Sequence, residues 1–156
     1  MEIAMSKYTV DILTDEDREW FIHIAAVNML KNELKRPELV NIDQLEKLTA
    51  KVIEDRTAFV VKVDGKCVGA LAAMLTPNLY NPLLSTFAEL FWYVLPEYRN
   101  TRAGILLISV FDKRGEECAD YSAMSLLGSS VVNEKTMSKR GYSLSEYAFI
   151  REHRRS

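Results

Sequence analysis

The stretch from Phe87 to Leu107, FAELFWYVLPEYRNTRAGILL, places the strongest constraint on how this chain can fold. Its first part, Phe87 to Leu95, is rich in aromatic and β-branched residues and is too short for a lone buried helix, which predicts a central strand. Pro96 cannot donate to a β-ladder and ends that strand. Apolar residues from Ile105 to Phe111 then share one broad helical face, which predicts a helix from Arg102 to about Cys118.

The polar turn between these two elements lies at the N-terminus of the predicted helix. The first backbone N–H groups of a helix have no intrahelical partner, and the helix dipole is positive at that end. Such a turn is suited to binding a phosphate or a pyrophosphate. Arg99 and Arg102 add two positive charges to it. The alternative interpretation is a connection with a solvated, charged turn and no ligand.

The run VLPEYRNTRAG resembles the acetyl-coenzyme A loop of the GNAT acyltransferases, in which a strand ending in Val-x-Pro leads to (Gln/Arg)-x-x-Gly-x-(Gly/Ala). Arg99 matches the first position of that motif and Gly104 the last. Arg102 stands where the family usually has its first glycine, and it could instead pair with a phosphate oxygen. The resemblance implies that acetyl-coenzyme A is the cofactor and that the loop residues bind it. These residues are Arg99, Asn100, Thr101, Arg102, Ala103, Gly104 and Ile105.

Length and composition predict one globular domain over residues 1–156. Of the 156 residues 48% are hydrophobic, and the formal net charge is −2, so we expect no nucleic-acid partner. No apolar run approaches a membrane span and the N-terminus lacks the apolar stretch of a secretory signal, so we expect a cytoplasmic protein with no membrane partner. Cys67 and Cys118 match no paired-ligand spacing, and we expect reduced thiols and no metal site.

The first half of the chain predicts the order strand, helix, helix, strand, strand, with which GNAT domains also begin. A period-two pattern starting at Tyr8 predicts the first strand. Thr14 and Asp17 resemble a capping box that opens the first helix, and Asn41 or Asp43 can cap the second. Asp64-Gly65 then predicts a hairpin between two strands, from Thr57 to Val63 and from Cys67 to Leu75.

The second half begins with a predicted loop, Thr76 to Ser85, whose apolar side chains could line an acceptor pocket or cover the sheet. After the helix that follows the polar turn, Tyr121 to Leu127 predicts a strand parallel to the central strand. Ser130 is a plausible N-cap for a last helix that Gly141 ends. Tyr142 to Ile150 predicts a final strand.

The resemblance implies the α/β (α+β) fold of the GNAT family, a mixed central sheet of six to seven strands with about four helices. In that fold the central strand and the next parallel strand splay apart, and the pantetheine arm of the cofactor satisfies the unpaired backbone groups. Trp92, Tyr93 and Val94 would make these contacts. Final strands in this fold often pair between subunits, so a homodimer is a further expectation.

Acyl transfer to an amine needs a base for the amine, a donor for the thioester oxygen and a proton source for the departing thiolate. In this family the base is commonly a carboxylate on the central strand, where Glu89 is the only one. Desolvation would raise its pKa toward the useful range. The alternative is a glutamate that pairs with a lysine or reaches solvent. The backbone N–H of Val94 could serve as the oxyanion donor.

The proton source is the part of the family pattern that this chain lacks. Many relatives carry a tyrosine four residues before the closing glycine and an asparagine at the start of the last helix. These positions are Met137 and Ser130, and methionine cannot donate a proton. Ser130 is the candidate substitute, with Ser129 or water as alternatives.

Two functions follow from the resemblance. The first is transfer of an acetyl group from acetyl-coenzyme A to a primary amine of a small-molecule or protein acceptor, by direct attack in a ternary complex. The second is a GNAT-fold protein with weak or no catalysis that acts as an acetyl-coenzyme A-binding or regulatory module.

Overall fold

The structure is a computed structural model and describes residues 7–127 and 132–153. Its five described strands form one sheet in which sheet order follows chain order. Each of the first four strands runs antiparallel to the one before or after it within that group, whereas the fifth runs parallel to the fourth. The strands are β1 (Tyr8–Ile12), β2 (Ala58–Val63), β3 (Lys66–Pro77), β4 (Ser85–Val94) and β5 (Tyr121–Ala123).

Four α-helices accompany the sheet in the described part of the chain, namely α1 (Arg18–Trp20), α2 (Ile42–Asp55), α3 (Ala103–Cys118) and α4 (Glu134–Lys139). The turns after α1 are wider, forming two π-helical segments, Phe21–Ala26 and Met29–Glu33. The mixed α/β fold with about four helices is therefore confirmed, but the predicted six to seven strands are not. No described helix combines the length and the apolar character needed to cross a membrane.

Each face of the sheet packs against helices through aromatic side chains from β4. On one face Phe91 contacts Phe21, with ring centroids 5.2 Å apart, in a cluster that includes α2. On the other face Phe87 stacks on Phe111 of α3 at 5.0 Å. The core therefore has two layers, and β4 contributes large side chains to both.

A β-bulge in β4 explains how it does so. Consecutive residues of β3 pair with Phe91 and Glu89, so Leu90 is an extra residue without a partner on β3. In a regular strand Phe87, Glu89 and Phe91 would all lie on one face, because side chains alternate with period two. The extra residue reverses the alternation, so that Phe87 faces α3 whereas Phe91 faces α2.

Several local predictions are confirmed. Asn41 caps α2, since its side chain accepts a hydrogen bond of 3.0 Å from the Gln44 N–H. Asp64 and Gly65 have positive φ, as the two-residue turn between β2 and β3 requires. Gly141 also has positive φ, just after the end of α4.

Three other predictions need correction. The Thr14 side chain makes no capping bond, and the Asp17 N–H instead donates to the Thr14 backbone carbonyl at 3.1 Å. The last helix begins after Asn133, whose side chain caps it, whereas the predicted cap Ser130 lies outside the described residues. Tyr142 to Ile150 forms no strand, because no neighbouring strand pairs with it in the described chain.

Candidate active site

The parallel strands β4 and β5 separate soon after they start. They pair only over Thr86 to Ala88 and Tyr121 to Ala123, whereas β4 continues to Val94. The strand predicted from Tyr121 to Leu127 therefore ends earlier, at Ala123. Its last paired residue lies opposite Ala88, next to the bulge in β4. A cleft opens between the end of β4 and the residues that follow β5.

The backbone of β4 presents polar groups to this cleft. The Leu95 N–H donates to the Val68 carbonyl of β3 at 2.8 Å, so Leu95 faces β3. Neighbouring residues of a strand direct their N–H and C=O groups to opposite sides, so those of Val94 and Trp92 face the open edge, whereas those of Tyr93 face β3. An added extended chain could pair with this edge.

Four backbone amides are free at the turn that follows β4. They donate to no protein acceptor among residues 7–127 and 132–153. The helix α3 begins at Ala103 without a side-chain cap, so its positive dipole end adds to these donors. The turn therefore presents a cluster of N–H groups suited to an anion. The four amides belong to Asn100, Arg102, Gly104 and Ile105.

The other predicted loop amides are satisfied within the turn itself. The Arg99 N–H donates to Pro96 O at 3.4 Å and the Thr101 N–H to Tyr98 O at 3.2 Å. The Ala103 N–H donates to the Thr101 hydroxyl oxygen at 3.3 Å, and that hydroxyl donates to Tyr98 O at 2.6 Å. These bonds fix the shape of the turn.

Neither arginine of the turn is an isolated cation. The Arg99 Nε donates to the Val94 carbonyl at 2.9 Å, and its guanidinium forms an ion pair with Glu33. Arg102 lies over the Tyr8 ring, 5.5 Å from its centroid, and remains solvent-exposed. Arg102 has a φ of −70°, which any residue adopts, so this position does not need the conformational freedom of glycine.

Gly104 is buried against the indole of Trp92. A Cβ added at Gly104 would lie 3.3 Å from the Trp92 ring, so a larger residue here would displace that ring. Ile105, by contrast, is 44% exposed and lies one residue further along the first turn of α3. The indole N–H of Trp92 is buried and has no hydrogen-bond partner among the described residues.

Glu89 lies at the wall of the cleft next to the bulge. Its carboxylate accepts a hydrogen bond of 3.1 Å from the Ser125 backbone N–H, just beyond β5. Burial raises the pKa of Glu89 from its ordinary value of 4.5 to about 7, and the Ser125 N–H partly opposes this rise by stabilising the charged form. A carboxylate with this pKa can accept a proton near neutral pH.

A cavity of about 260 Å³ occupies the cleft. It reaches from Gly104 and Val94, past Glu89, to the second π-helical segment. That segment contributes Met29 and Glu33, and Leu34 follows directly. The Leu34 N–H donates to the Met29 carbonyl, five residues earlier, at 2.8 Å. Because the turn closes five residues apart, Met29 and Leu34 lie on the same side of the helix and both reach the cavity.

Met137, at the position where the resemblance implies a tyrosine, lies in α4 and has no hydroxyl group. Met137 is buried in a cluster with Ile108 and Val132. The Tyr142 hydroxyl donates to the Asp112 carboxylate at 2.6 Å. The pKa of Tyr142 is raised mainly by burial and, to a smaller extent, by this hydrogen bond. The role predicted for Ser130 falls outside the described residues, so it stays a prediction.

Sequence reasoning did not identify Glu33, Met29, Leu34 or Ser125 as parts of this site. Nothing in their local sequence marks the first three, because their position depends on the wider helical turns. The proximity of Ser125 to Glu89 was indicated indirectly by the sequence. The strand predicted from Tyr121 to Leu127 contains Ser125, and parallel pairing places that strand beside the central strand.

Two other expectations concern groups away from the cleft. Burial raises the pKa of Cys67 to about 12, which keeps it a thiol, and neither cysteine forms a disulfide. His23, Glu19 and Glu46 each bring one possible ligand atom within 4.8 Å of the other two. The group is at the surface, and Glu46 also accepts a bond from Arg18. We infer no metal function for it.

No protein-family model matches the chain, and no curated protein matches it in sequence. Solved structures match its fold. A "possible acetyltransferase" from Clostridium difficile 630 aligns with a TM-score of 0.70 at 13% identity, covering 96% of this chain and 99% of that chain. A transcriptional regulator from Bacillus halodurans C-125 aligns with a TM-score of 0.71 at 15% sequence identity. The alignment covers 94% of this chain and 100% of that chain.

A third similar structure is AAC(6')-Iy in complex with a bisubstrate analogue, CoA-S-monomethyl-acetylneamine. It aligns with a TM-score of 0.69 at 14% identity, covering 96% of this chain and 99% of that chain. At such low identities the likeness establishes the architecture. The chain has the fold of the GNAT acetyltransferases, and the resemblance seen in its sequence is confirmed at the level of the fold.

Proposed function

We propose that this protein is an acetyl-coenzyme A-dependent N-acyltransferase that acetylates a primary amine of a small molecule or protein by direct attack. One observation carries the proposal: β4 and β5 diverge beside the free N-terminus of α3. This arrangement offers an open strand edge and an anion-binding turn next to each other. A ligand with an extended amide-bearing arm and a pyrophosphate matches both.

The residues of the cleft suit acetyl-coenzyme A, which supplies the acetyl group as a reactive thioester. The amides at the start of α3 would hold the pyrophosphate. The edge of β4 at Trp92 and Val94 would hold the pantetheine arm, although the Val94 carbonyl already accepts a bond from Arg99. The Val94 N–H would remain available to a developing oxyanion. A complex with a coenzyme A-based analogue in AAC(6')-Iy, which has the same fold, supports this assignment.

Glu89 would act as the base. An amine acceptor is protonated in neutral solution and must lose a proton before it can attack. Glu89 has a raised pKa and lines the cavity, so it can take that proton directly or through one water molecule. The Ser125 N–H holds the carboxylate in place. Water or a serine hydroxyl would return a proton to the thiolate, since Met137 cannot.

Isothermal titration with acetyl-coenzyme A tests cofactor binding. Pantetheine, which lacks the pyrophosphate, is the matched control and should bind at least about tenfold more weakly because it leaves the α3 amides unused. A thermal-shift assay should also show stabilisation of roughly 2.7 kcal/mol at a hundredfold excess over the dissociation constant. Absence of binding to acetyl-coenzyme A would refute the proposal.

The second candidate is a protein of the same fold that binds the cofactor with little turnover. Met137 favours it, because a buried methionine stands at the sequence position where the resemblance implies the proton-donating tyrosine. The fold match to a transcriptional regulator is consistent with it. Release of free thiol from acetyl-coenzyme A in the presence of amines separates the candidates, since only the enzyme produces thiol faster than the protein-free control.

A further inference from the structure

We propose that the acceptor is a monoamine carried on an apolar body, and not a polycation. This inference rests on the proposed function and narrows its substrate class. The cavity beside Glu89 is lined mainly by apolar side chains from three parts of the chain. They are Met29, Leu34, Leu90, Phe91 and Leu127.

The charged groups at the cavity leave no carboxylate for a second ammonium. Three charged residues line it within the described chain: Glu33, Glu89 and Arg99. Arg99 forms an ion pair with Glu33, and both side chains are at least three-quarters buried. That pair carries no net charge toward a ligand. Glu89 remains, and the reacting amine uses it.

The physical cost of a second charge follows from this arrangement. An ammonium moved from water to an apolar wall without a partner loses hydration that nothing replaces. A methylene or methyl group at the same wall gains free energy, because apolar surface leaves water. The cavity should therefore favour an alkyl chain that ends in CH₃ over a chain of the same length that ends in a second ammonium.

The π-helical turn is what makes this wall apolar. In an α-helix, residues four apart share a face and residues five apart do not. Here the turn closes over five residues, so Leu34 joins Met29 at the cavity. Glu33, between them in sequence, is held by Arg99 of the turn after β4. The same bond that neutralises Glu33 thus fixes the position of the apolar wall.

Two bisubstrate conjugates test the inference by binding alone, without turnover. One joins coenzyme A through an acetyl linker to heptylamine, the other to hexamethylenediamine, so that the two chains have the same length and differ only in ending in a methyl group or in an ammonium. Isothermal titration at neutral pH should show the heptylamine conjugate binding at least about tenfold more tightly. Equal affinities, or tighter binding of the diamine conjugate, would overturn the inference.

A variant of the wall provides the second arm of the test. Leu34→Glu places an unpaired carboxylate at the cavity and should reduce the preference to about threefold or less, or reverse it, because the second ammonium gains a partner. Leu34→Gln is the matched control, polar but uncharged, and should keep more of the preference. A preference that is the same in both variants would contradict the assignment of this wall.

Binding of coenzyme A itself distinguishes the two levels of failure. If coenzyme A binds and the conjugates do not differ, the acceptor class is wrong, whereas the cofactor site stands and thiol release decides the proposed function. If neither coenzyme A nor the conjugates bind, the proposed function fails and the acceptor class fails with it.

Discussion

Glu89 is the residue at which the fold and the proposed chemistry make opposing demands. The bulge at Leu90 interrupts the alternation of β4 and leaves Glu89 at the cavity wall, bonded to the Ser125 N–H. Burial there raises its pKa to about 7. A carboxylate that is costly to ionise is also a stronger base, which is what proton abstraction from an ammonium requires.

Glu89→Gln should lower the rate of acetylation by about a hundredfold at neutral pH, because glutamine cannot accept the proton. In the unmodified protein kcat/KM should fall as pH drops through about 7, when Glu89 becomes protonated. In the variant, kcat/KM should show no such fall centred near pH 7. The difference in activity between the variant and the unmodified protein should be smaller at high pH, where more of the amine is already neutral. Profiles of kcat/KM against pH measure both effects. A constant ratio of the two rates across pH would remove Glu89 as the base.

The same substitution should raise stability at alkaline pH. The pKa of Glu89 is higher in the folded protein than in the unfolded chain, so the folded state binds the proton more tightly. The stability due to this group is therefore fully present below its unfolded pKa of about 4.5 and is lost as pH rises through the folded pKa of about 7. Glu89→Gln should increase Tm more at pH 8 than at pH 4. Glu97→Gln, at an exposed site, is the control and should show no such difference.

Arg99 and Glu33 should be energetically coupled. Arg99 joins the turn after β4 to the second π-helical segment through Glu33, and it also binds the Val94 carbonyl. A double-mutant cycle with Glu33→Gln and Arg99→Gln should give a coupling of about 1 to 3 kcal/mol in the free energy of unfolding. Denaturant titration of the unmodified protein, the two single variants and the double variant measures this coupling. Purely additive effects would show that the ion pair contributes nothing to stability.

At the level of elements, α3 and the β2–β3 hairpin could be predicted because their signals are local. The apolar face of α3 and the Asp64-Gly65 pair each specify one conformation with little help from the rest of the chain. A bulge in this strand was possible from the sequence, but its position at Leu90 could not be predicted, since that depends on the register with β3. The same holds for the wider turn that brings Leu34 to the cavity.

The segment from Tyr142 to Ile150 shows the opposite failure. Its aromatic and β-branched residues suit a strand, and propensity alone predicts one. A strand also needs a partner, and no described strand lies beside it. Phe149 is 93% exposed and Tyr147 is 75% exposed, so the segment packs little apolar surface against the rest of the chain. Residue propensity thus indicated that this segment prefers an extended conformation, but it could not indicate whether a neighbouring strand was present to pair with it.

The first turn of α3 should respond to charge in two opposite ways. Ile105→Glu places an anion on an exposed position at the positive end of the helix, which should stabilise the protein by about 0.3 to 1 kcal/mol. The same anion should repel the pyrophosphate and weaken binding of coenzyme A by at least about tenfold. Ile105→Gln, similar in size and uncharged, is the control. Denaturant titration and isothermal titration measure the two effects, and equal affinity in both variants would place the pyrophosphate elsewhere.

Over the whole molecule, β1 to β4 form a continuous antiparallel sheet, whereas β5 and the residues after it are joined to β4 by few bonds. Within the described chain, β4 and the segment around β5 are joined by three residue pairs, by the Ser125 to Glu89 bond and by bonds between Ser85 and Asp120 in both directions. A ligand that pairs with the free edge of β4 adds contacts where the protein has fewest. Binding should therefore stabilise the cleft more than the rest of the sheet.

Hydrogen exchange with and without coenzyme A measures this distribution. Coenzyme A should slow exchange at the amides of Trp92, Val94, Gly104 and Ile105 by about tenfold or more at saturation, because the ligand occupies or shields them. Amides of β1 and β2 should change much less, since their bonds form within the sheet. The β2–β3 hairpin is an internal control for a global increase in stability. If protection rose equally in β2 and at the start of α3, the ligand would stabilise the whole fold and not bind along the edge of β4.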